Sequence, residues 1–587
     1  MSDLNQGTWA ENIGNTAPQN NTEQASAINN AAAALGTFQA APPQNYTVVQ
    51  GQVTPDTEET KRLKENYGFF GPVTFLYAVF YALCMYRNGS GVTYPFFVAG
   101  SLLLLYFSLS KLGTTLKRGS IFYMAAMVLL GISTFCTDDA RLIFFNKLGI
   151  FLLMMSLLLK QFFDTSKWKL GKYLLGIGQL ICISFGEMGR PVTDGIRYRK
   201  KQGREVNKKV WYVLLGLVIA IPMVLVVLVL LSTADVVFRK ITGDIVENIR
   251  IENIMNVCLR IVCMFFASYA LTSYLCKRDI KETVTDRRKG EPVLAITITG
   301  MLTFLYLLFS IVQIVGLFLG RMQLPEGYTY AMYAREGFFQ LLAVSLFNLV
   351  IVLVCLSYFK ESKALKGVLT VMSLCTFVMI ASSALRMVIY IRFYYLTFLR
   401  ILVLWSLALL AVLFVGIIIN IFLEKFPLFR YSMVVVTVLY LALSFAHPDY
   451  IIARVNVANA PHEDMVWWSE EEAKQAEDDF SQANMFSGKF FLASQPYHDY
   501  SYLVNLSADA APVLVPYLKE LGYDMSAFGQ ENAVRYINDK YEGGVYRSRA
   551  EGFGYHWMRR MWQRAEGFNV RTFNVSRFRM LKGFMDE

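Results

Sequence analysis

Apolar residues in this chain come in long runs, not in alternating or heptad patterns. From Phe69 onward the runs cover approximately 69–86, 94–110, 121–135, 142–159, 211–231, 257–276, 294–319, 338–358, 368–387, 396–423 and 430–446. A membrane-spanning helix needs about 20 mostly apolar residues, within a range of about 17–25. The runs therefore predict about eleven transmembrane helices. A twelfth stretch, 173–186, is shorter, and Gly171, Gly176, Gly178, Gly186 and Gly189 lie in or beside it.

Polar segments bracket this block. Residues 1–60 contain no Lys or Arg and are rich in Asn, Gln, Ala, Thr and Pro. Such a stretch buries too little apolar surface to offset its ordering entropy, so 1–66 is expected to be a disordered tail. After Phe445 the composition turns soluble. Pro448 disfavours helical geometry at His447 and marks the exit. Asp509 has the character of an N-cap, with Pro512 tolerated in the first turn and Gly522 as a stop. Further helices are expected near 530–541 and 553–565. Residues 447–587 are long enough to hold a core of their own. The expected fold class is all-α: a polytopic helical membrane bundle over 67–446 with a small, mostly α soluble C-terminal domain.

Charge orients the bundle, because short cytoplasmic loops collect Lys and Arg. If 173–186 does not span and the N-terminus is inside, the inner loops hold more than three times the basic residues of the outer loops. If it spans, the bias reverses. The stretch is therefore expected to be an interfacial or re-entrant helix on the inner face. The N-terminus is expected in the bacterial cytoplasm and the C-terminal domain outside. Arg190, Arg197, Arg199, Lys200, Lys201, Arg204, Lys208 and Lys209 follow the stretch and suit anionic inner-leaflet lipid. On the outer side, Val237, Ile241, Ile245 and Ile249 recur every four residues, as in a helix lying flat on the leaflet.

Composition agrees. The chain is 55% hydrophobic, with mean hydropathy +0.38 and 17% charged residues, against roughly 25% in soluble domains. The formal charge of +11 resides mostly in short loops beside apolar runs, so nucleic acid is not an expected partner. The eight cysteines lie in or next to apolar segments without a CxxC, which supports neither a disulfide framework nor a zinc ribbon. No basic segment followed by an apolar stretch opens the chain, so no cleavable signal peptide is expected.

The spans hold Lys147, Arg260, Arg386 and Arg400 but no Asp, Glu or His. Ion-coupled transporters commonly use buried carboxylates or histidines as relays. Intramembrane proteases need carboxylates or metal ligands at depth. No catalytic, cofactor-binding or metal-binding residue is assigned on this basis. Arg386, Arg392 and Arg400 surround a short outer turn with Tyr390, Phe393, Tyr394 and Tyr395. They suit either an aromatic belt with snorkelling arginines or an outer site for an anionic lipid headgroup. Gln313, Asn348 and Asn420 are expected to bond between helices. The four histidines, His447, His462, His498 and His556, all follow the last run and match no metal spacing. They are expected at the surface. Residues 462–479 hold eight acidic residues and one Lys, whereas 535–582 hold eleven basic and four acidic. Either the two ends dock, or the basic part faces anionic lipid or cell-wall polymer.

Four motifs carry a resemblance. They are Leu231-Ser-Thr-Ala-Asp235-Val-Val-Phe238, His447-Pro-Asp-Tyr-Ile-Ile-Ala-Arg-Val-Asn456, Tyr502-Leu-Val-Asn-Leu-Ser-Ala-Asp-Ala-Ala-Pro512 and Arg571-Thr-Phe-Asn-Val-Ser-Arg577. Together they resemble a bacterial multi-pass membrane family known only as a domain of unknown function, of the 4153/4173 type. In that family Asn-Pro-Asp is expected at the exit and Trp-Asn near the end; His447 and Phe573 depart from this. The resemblance implies a cytoplasmic-membrane protein and supplies no activity. It singles out Asp235, Asp449, Arg454, Asn456, Asp509, Asn574 and Arg577, whose simplest role is to pack the outer domain onto the membrane face.

Three functions stay open from sequence. The first is a non-enzymatic envelope sensor, scaffold or accessory subunit, with a protein partner on the C-terminal domain. The second is a transporter or lipid-handling protein using the outer basic site. The third is a transferase on a lipid-linked substrate, for which Asp235, Asp449 and His447 would supply acid or base. Membrane lipids, anionic ones among them, are partners in all three.

Overall fold

The computed structural model describes residues 56–203 (except 166, 167 and 169), isolated positions between 216 and 235, and residues 251–280, 288–318, 337–459 (except 424), 500–521, 549–565 and 569–585. Thr57–Glu587 forms one compact unit. Several sequence expectations lie outside the described residues: the tail before Asp56, most of the 211–231 run, the 237–249 helix, His462, His498, the acidic 462–479 stretch, Gly522 and 530–541.

A short helix, α1 (Glu58–Glu65), precedes the bundle. Its N-cap is Thr57, whose hydroxyl accepts the Thr60 N–H at 3.2 Å. Then α2 (Tyr67–Met85), α3 (Thr93–Leu112), α4 (Ser120–Cys136) and α5 (Ala140–Phe162) run up and down. After the short α6 (Leu170–Ser184) and α7 (Arg190–Lys201) come α8 (Ile251–Lys277), α9 (Pro292–Gln313), α10 (Phe338–Tyr358), α11 (Lys363–Tyr394), α12 (Phe398–Phe422) and α13 (Leu428–Phe445). Among the described residues nine helices are long and apolar enough to cross a membrane, and the 17-residue α4 is a shorter apolar one. Large apolar side chains point outward along them; Ile121 is 77% exposed and Met301 74%. So continuous an apolar exterior is tolerable only against lipid.

The helices pack as two groups. One core joins α2, α3, α4, α5, α6 and α8 through residues such as Tyr94, Met127, Leu157 and Tyr274. The other joins α9, α10, α11 and α12 through Val352, Met372, Leu407 and Phe414. Helix α13 packs on both α12 and α4 and ties the groups together. Buried polar groups fix the register. Asn146 Oδ1 accepts from Tyr440 and Ser444, both at 2.7 Å. Asn348 donates to Thr376 at 3.0 Å, and Gln313 accepts from Ser382 at 2.6 Å, as interhelical bonding requires.

One end of the bundle is basic. Arg62 donates to the Leu112 carbonyl and Lys117 to the Phe163 carbonyl, so cations cover helix C-termini. Lys201 meets Glu65, and Lys277 meets Glu187. Fifteen residues of α6 rise about 22 Å, less than the roughly 30 Å hydrocarbon core. Trp168, just before α6, stacks on Phe163 at the end of α5. Glu187, just after it, bonds the end of α8. Both ends of α6 therefore meet the same end of the bundle.

The opposite end carries a cap built from α14 (Pro448–Ala458), α15 (Tyr500–Val504), α16 (Ala511–Glu520), α17 (Arg549–Ala565) and α18 (Val575–Met585). Its apolar core is continuous with the span ends: Leu142, Leu396 and Phe398 cluster with Ile452, Leu506, Leu514, Trp557 and Phe584. Short amphipathic helices bury their faces here against the bundle as well as against each other.

Candidate functional site

The junction between cap and bundle is where chemistry-bearing residues converge. Two elements come from the bundle side. The turn Thr137–Asp139 joins α4 to α5, and Asp139 caps α5 by accepting the Arg141 N–H at 2.9 Å. His447 links α13 to α14 in a left-handed conformation, φ 47°. Asn and His tolerate that region better than β-branched residues, which accounts for both the expected Asn and the observed His. Pro448, in the first turn of α14, needs no N–H partner there.

Asp509 is the hub. Its carboxylate accepts the Asp138 N–H at 2.8 Å, the hydroxyls of Thr137 and Ser576, and faces His447 Nδ1 at 3.3 Å. Burial alone would raise its pKa, but the His447, Ser576, Thr137 and Asp138 donors together hold it below the ordinary carboxylate value. The expected N-cap role is thus corrected. Ser507 caps this turn, accepting the Asp509 N–H at 3.4 Å, while the Asp509 carboxylate reaches across to the bundle.

Asp138 and Asp449 complete the junction. Asp138 receives Arg564 Nη1 and Arg577 Nε, each at 2.7 Å. Arg141 grips Asp139 through two nitrogens at 2.9 Å, and its Nη2 also reaches Asp449 at 2.6 Å. The Arg141 guanidinium lies 3.9 Å from the Phe398 ring centroid, a cation–π contact. Asp449 Oδ2 accepts the Ser507 N–H at 2.9 Å. Burial and the neighbouring Asp139 push the Asp449 pKa up to about 6, against the pull of Arg141 and Ser507. Arg560 bonds Asn505 and the Leu506 carbonyl; burial and Arg564 push its pKa down to about 10.

Two asparagines act as staples. Asn574 Nδ2 donates to the Ser90 and Thr137 carbonyls at 3.0 and 2.9 Å, and its Oδ1 caps α18 by accepting from Ser576 and Arg577. Asn456 makes a two-way bond with the backbone of Leu396, fixing α14 to the α11–α12 turn. Beside them Val92 donates to the Phe573 carbonyl at 2.7 Å, and Arg571 covers the Leu83 and Tyr86 carbonyls.

Of the residues singled out from sequence, Asp449, Asp509, Asn574 and Arg577 thus meet, with Asn456 about two turns further along α14. Arg454 is exposed on α14, and Asp235 is exposed elsewhere. The three arginines differ in setting. Arg400 donates to the Tyr394 and Tyr395 carbonyls and lies over the Tyr390 ring. Arg386 is buried beside Gln313, and Arg392 is exposed. His556, expected at the surface, is half-buried, and burial with Arg559 pushes its pKa down to about 4. Sequence reasoning missed Asp138, Asp139, Arg141 and Arg564. The signal was present: Thr137-Asp138-Asp139 puts two acids in one very short turn between apolar runs. No group of three or more His, Cys, Asp or Glu among the described residues could hold a metal ion.

An all-α bundle sheathed in apolar side chains, closed at one end by an ion-paired cap, defines a multi-pass membrane protein. Residues 124–517 match the family model described as Domain of unknown function (DUF4153). The chain belongs to that family, which occurs in bacterial multi-pass membrane proteins. The match includes Asp138, Asp139, Asp449 and Asp509; Asn574 and Arg577 lie beyond it. No curated protein and no solved structure matches the chain.

Proposed function

We propose that the protein is a non-enzymatic envelope scaffold or accessory subunit of the bacterial cytoplasmic membrane, with eleven spans, a cytoplasmic N-terminus and the cap outside. One observation carries the reading: the junction carboxylates Asp138, Asp449 and Asp509 are each held by groups from another element, and Asp139 fixes the arginine that reaches Asp449. Such a lattice specifies position; breaking one partner of a buried pair is costly, whereas an intact pair adds little net stability. The orientation is supported by the basic end, which suits the cytoplasmic side. Ten apolar helices among the described residues, the 17-residue α4 included, add to the apolar 211–231 run of the sequence, and eleven spans place the two termini on opposite sides. The cap then offers its outer surface to a protein partner, and the basic end meets anionic lipid.

A disulfide between Val92→Cys and Phe573→Cys, whose backbones touch, would lock the cap. The locked form should complement the envelope phenotype of a deletion strain as well as the reduced form does. Failure of the locked form alone would favour the transporter or transferase readings, which need the junction to open. An Arg454→Cys variant should react with an impermeant maleimide in intact spheroplasts and a Lys200→Cys variant should not; the reverse result overturns the orientation.

A further inference from the structure

At the basic end, away from the junction, a cavity lies between the ends of α10, α11 and α12. Its rim carries Arg288, Lys360 and Lys366, and its floor is apolar, with Leu365 and Ile421 among its residues. A short backbone pairing holds the rim in shape: Gly290 donates to the Tyr358 carbonyl at 3.1 Å and Lys360 to the Gly290 carbonyl at 3.0 Å. A Cβ at Gly290 would come within 2.7 Å of the Phe359 ring, so the close approach requires glycine.

Glu361 shows what the rim holds. Its carboxylate bonds Arg288 and, at 3.3 Å, Lys366, while Lys360 pairs with Glu291 at 2.6 Å. Across segments 288–291 and 360–366 the cations Arg288, Lys289, Lys360, Lys363 and Lys366 outnumber these two carboxylates. The rim therefore keeps positive charge after its internal pairs are made. It stands at the ends of helices whose flanks face lipid, so an apolar floor and a cationic rim meet at headgroup depth.

We propose that this cavity binds the phosphate of an anionic phospholipid, with the glycerol and first acyl carbons on the apolar floor. Basic pockets between membrane helices recognise such headgroups by this combination of charge and depth. The inference needs only the membrane boundary, and stands whichever way the bundle faces.

The test is native mass spectrometry of the full-length protein in detergent, titrated with phosphatidylglycerol and with phosphatidylcholine. The wild type should retain phosphatidylglycerol in preference. Lys360→Gln with Lys366→Gln should weaken that retention roughly thirtyfold, from two interfacial cations removed. Asn420→Phe, which fills the cavity and keeps every charge, should weaken it as well. Lys61→Gln with Lys64→Gln, on α1, should leave it unchanged. Equal retention of both lipids, no loss in the cavity variants, or equal loss in the α1 control overturns the proposal. Displacement by millimolar inorganic phosphate overturns the lipid as the source of the phosphate.

Discussion

Replacing Asp509 with Asn tests whether the junction is a clamp, because it changes charge and hydrogen-bonding while leaving shape almost untouched. The carboxylate is buried and faces four donors: Thr137, the Asp138 N–H, Ser576 and His447. An amide presents one acceptor oxygen and one donor nitrogen. At best it serves two of these groups and turns an N–H towards the rest. Bonds to a charged acceptor contribute about 1.5–3 kcal/mol each. Losing two therefore costs about 3–6 kcal/mol, less the relief of no longer burying a charge, which leaves about 2–4 kcal/mol. Cap opening should then become about 30- to 1000-fold more frequent, at 1.4 kcal/mol per factor of ten. Cys136 ends α4, half-buried beneath the junction, and is a native reporter. With Cys182, Cys258 and Cys263, the exposed thiols, changed to Ser, maleimide labelling of Cys136 should accelerate by that factor. If Asp509→Asn labels at the wild-type rate and unfolds at the wild-type temperature, Asp509 is no hub and the clamp reasoning fails.

The remaining predictions probe the same junction. Asn574→Ala leaves two buried carbonyls, of Ser90 and Thr137, without their donor and removes the cap of α18; at about 1–3 kcal/mol per unsatisfied group, labelling should rise at least tenfold. Asp449 gives a pH dependence of known sign. Its closed-state pKa, about 6, lies above the ordinary value of an aspartate, so its protonated form favours closure. That contribution should be lost as pH rises through about 6, and opening measured by proteolysis should be slower at pH 5 than at pH 7.5; Asp449→Asn should flatten the profile over that range. A steeper loss of closure at pH 5 in the wild type would contradict the assignment.

Most of the membrane architecture was legible because spanning helices obey a length rule that local sequence satisfies alone. Ten of the eleven runs coincide with described helices, from 69–86 in α2 to 430–446 in α13. The short 173–186 stretch falls largely in α6, whose fifteen residues rise less than the thickness of a hydrocarbon core. Register was less legible. Asn146, Ser133 and Ser444 are spread over three helices and bond only because α4, α5 and α13 pack side by side. Nothing in the 142–159 run announces that Asn146 faces three hydroxyls on other helices and not a neighbour on its own.

The junction was legible in its parts and illegible as a whole, for a reason that lies in what motifs record. Asp449, Asp509 and Arg577 came forward as short-motif positions, yet their partners Asp138 and Arg141 lie hundreds of residues away in the chain. A search for acids inside the spans also looked in the wrong layer. Carboxylates placed one turn beyond the apolar run escape the desolvation cost of the bilayer, and they gain low polarity only when a cap covers them. The Asp138–Asp139 turn is such a case: polar enough to end α4, with Asp138 aimed at the cap arginines and Asp139 at Arg141, both carboxylates on residues only 2% exposed. Charge that is cheap to insert during synthesis thus becomes buried only when the C-terminal helices arrive. The clamp can therefore form only as a late step, after the spans it joins are already in place.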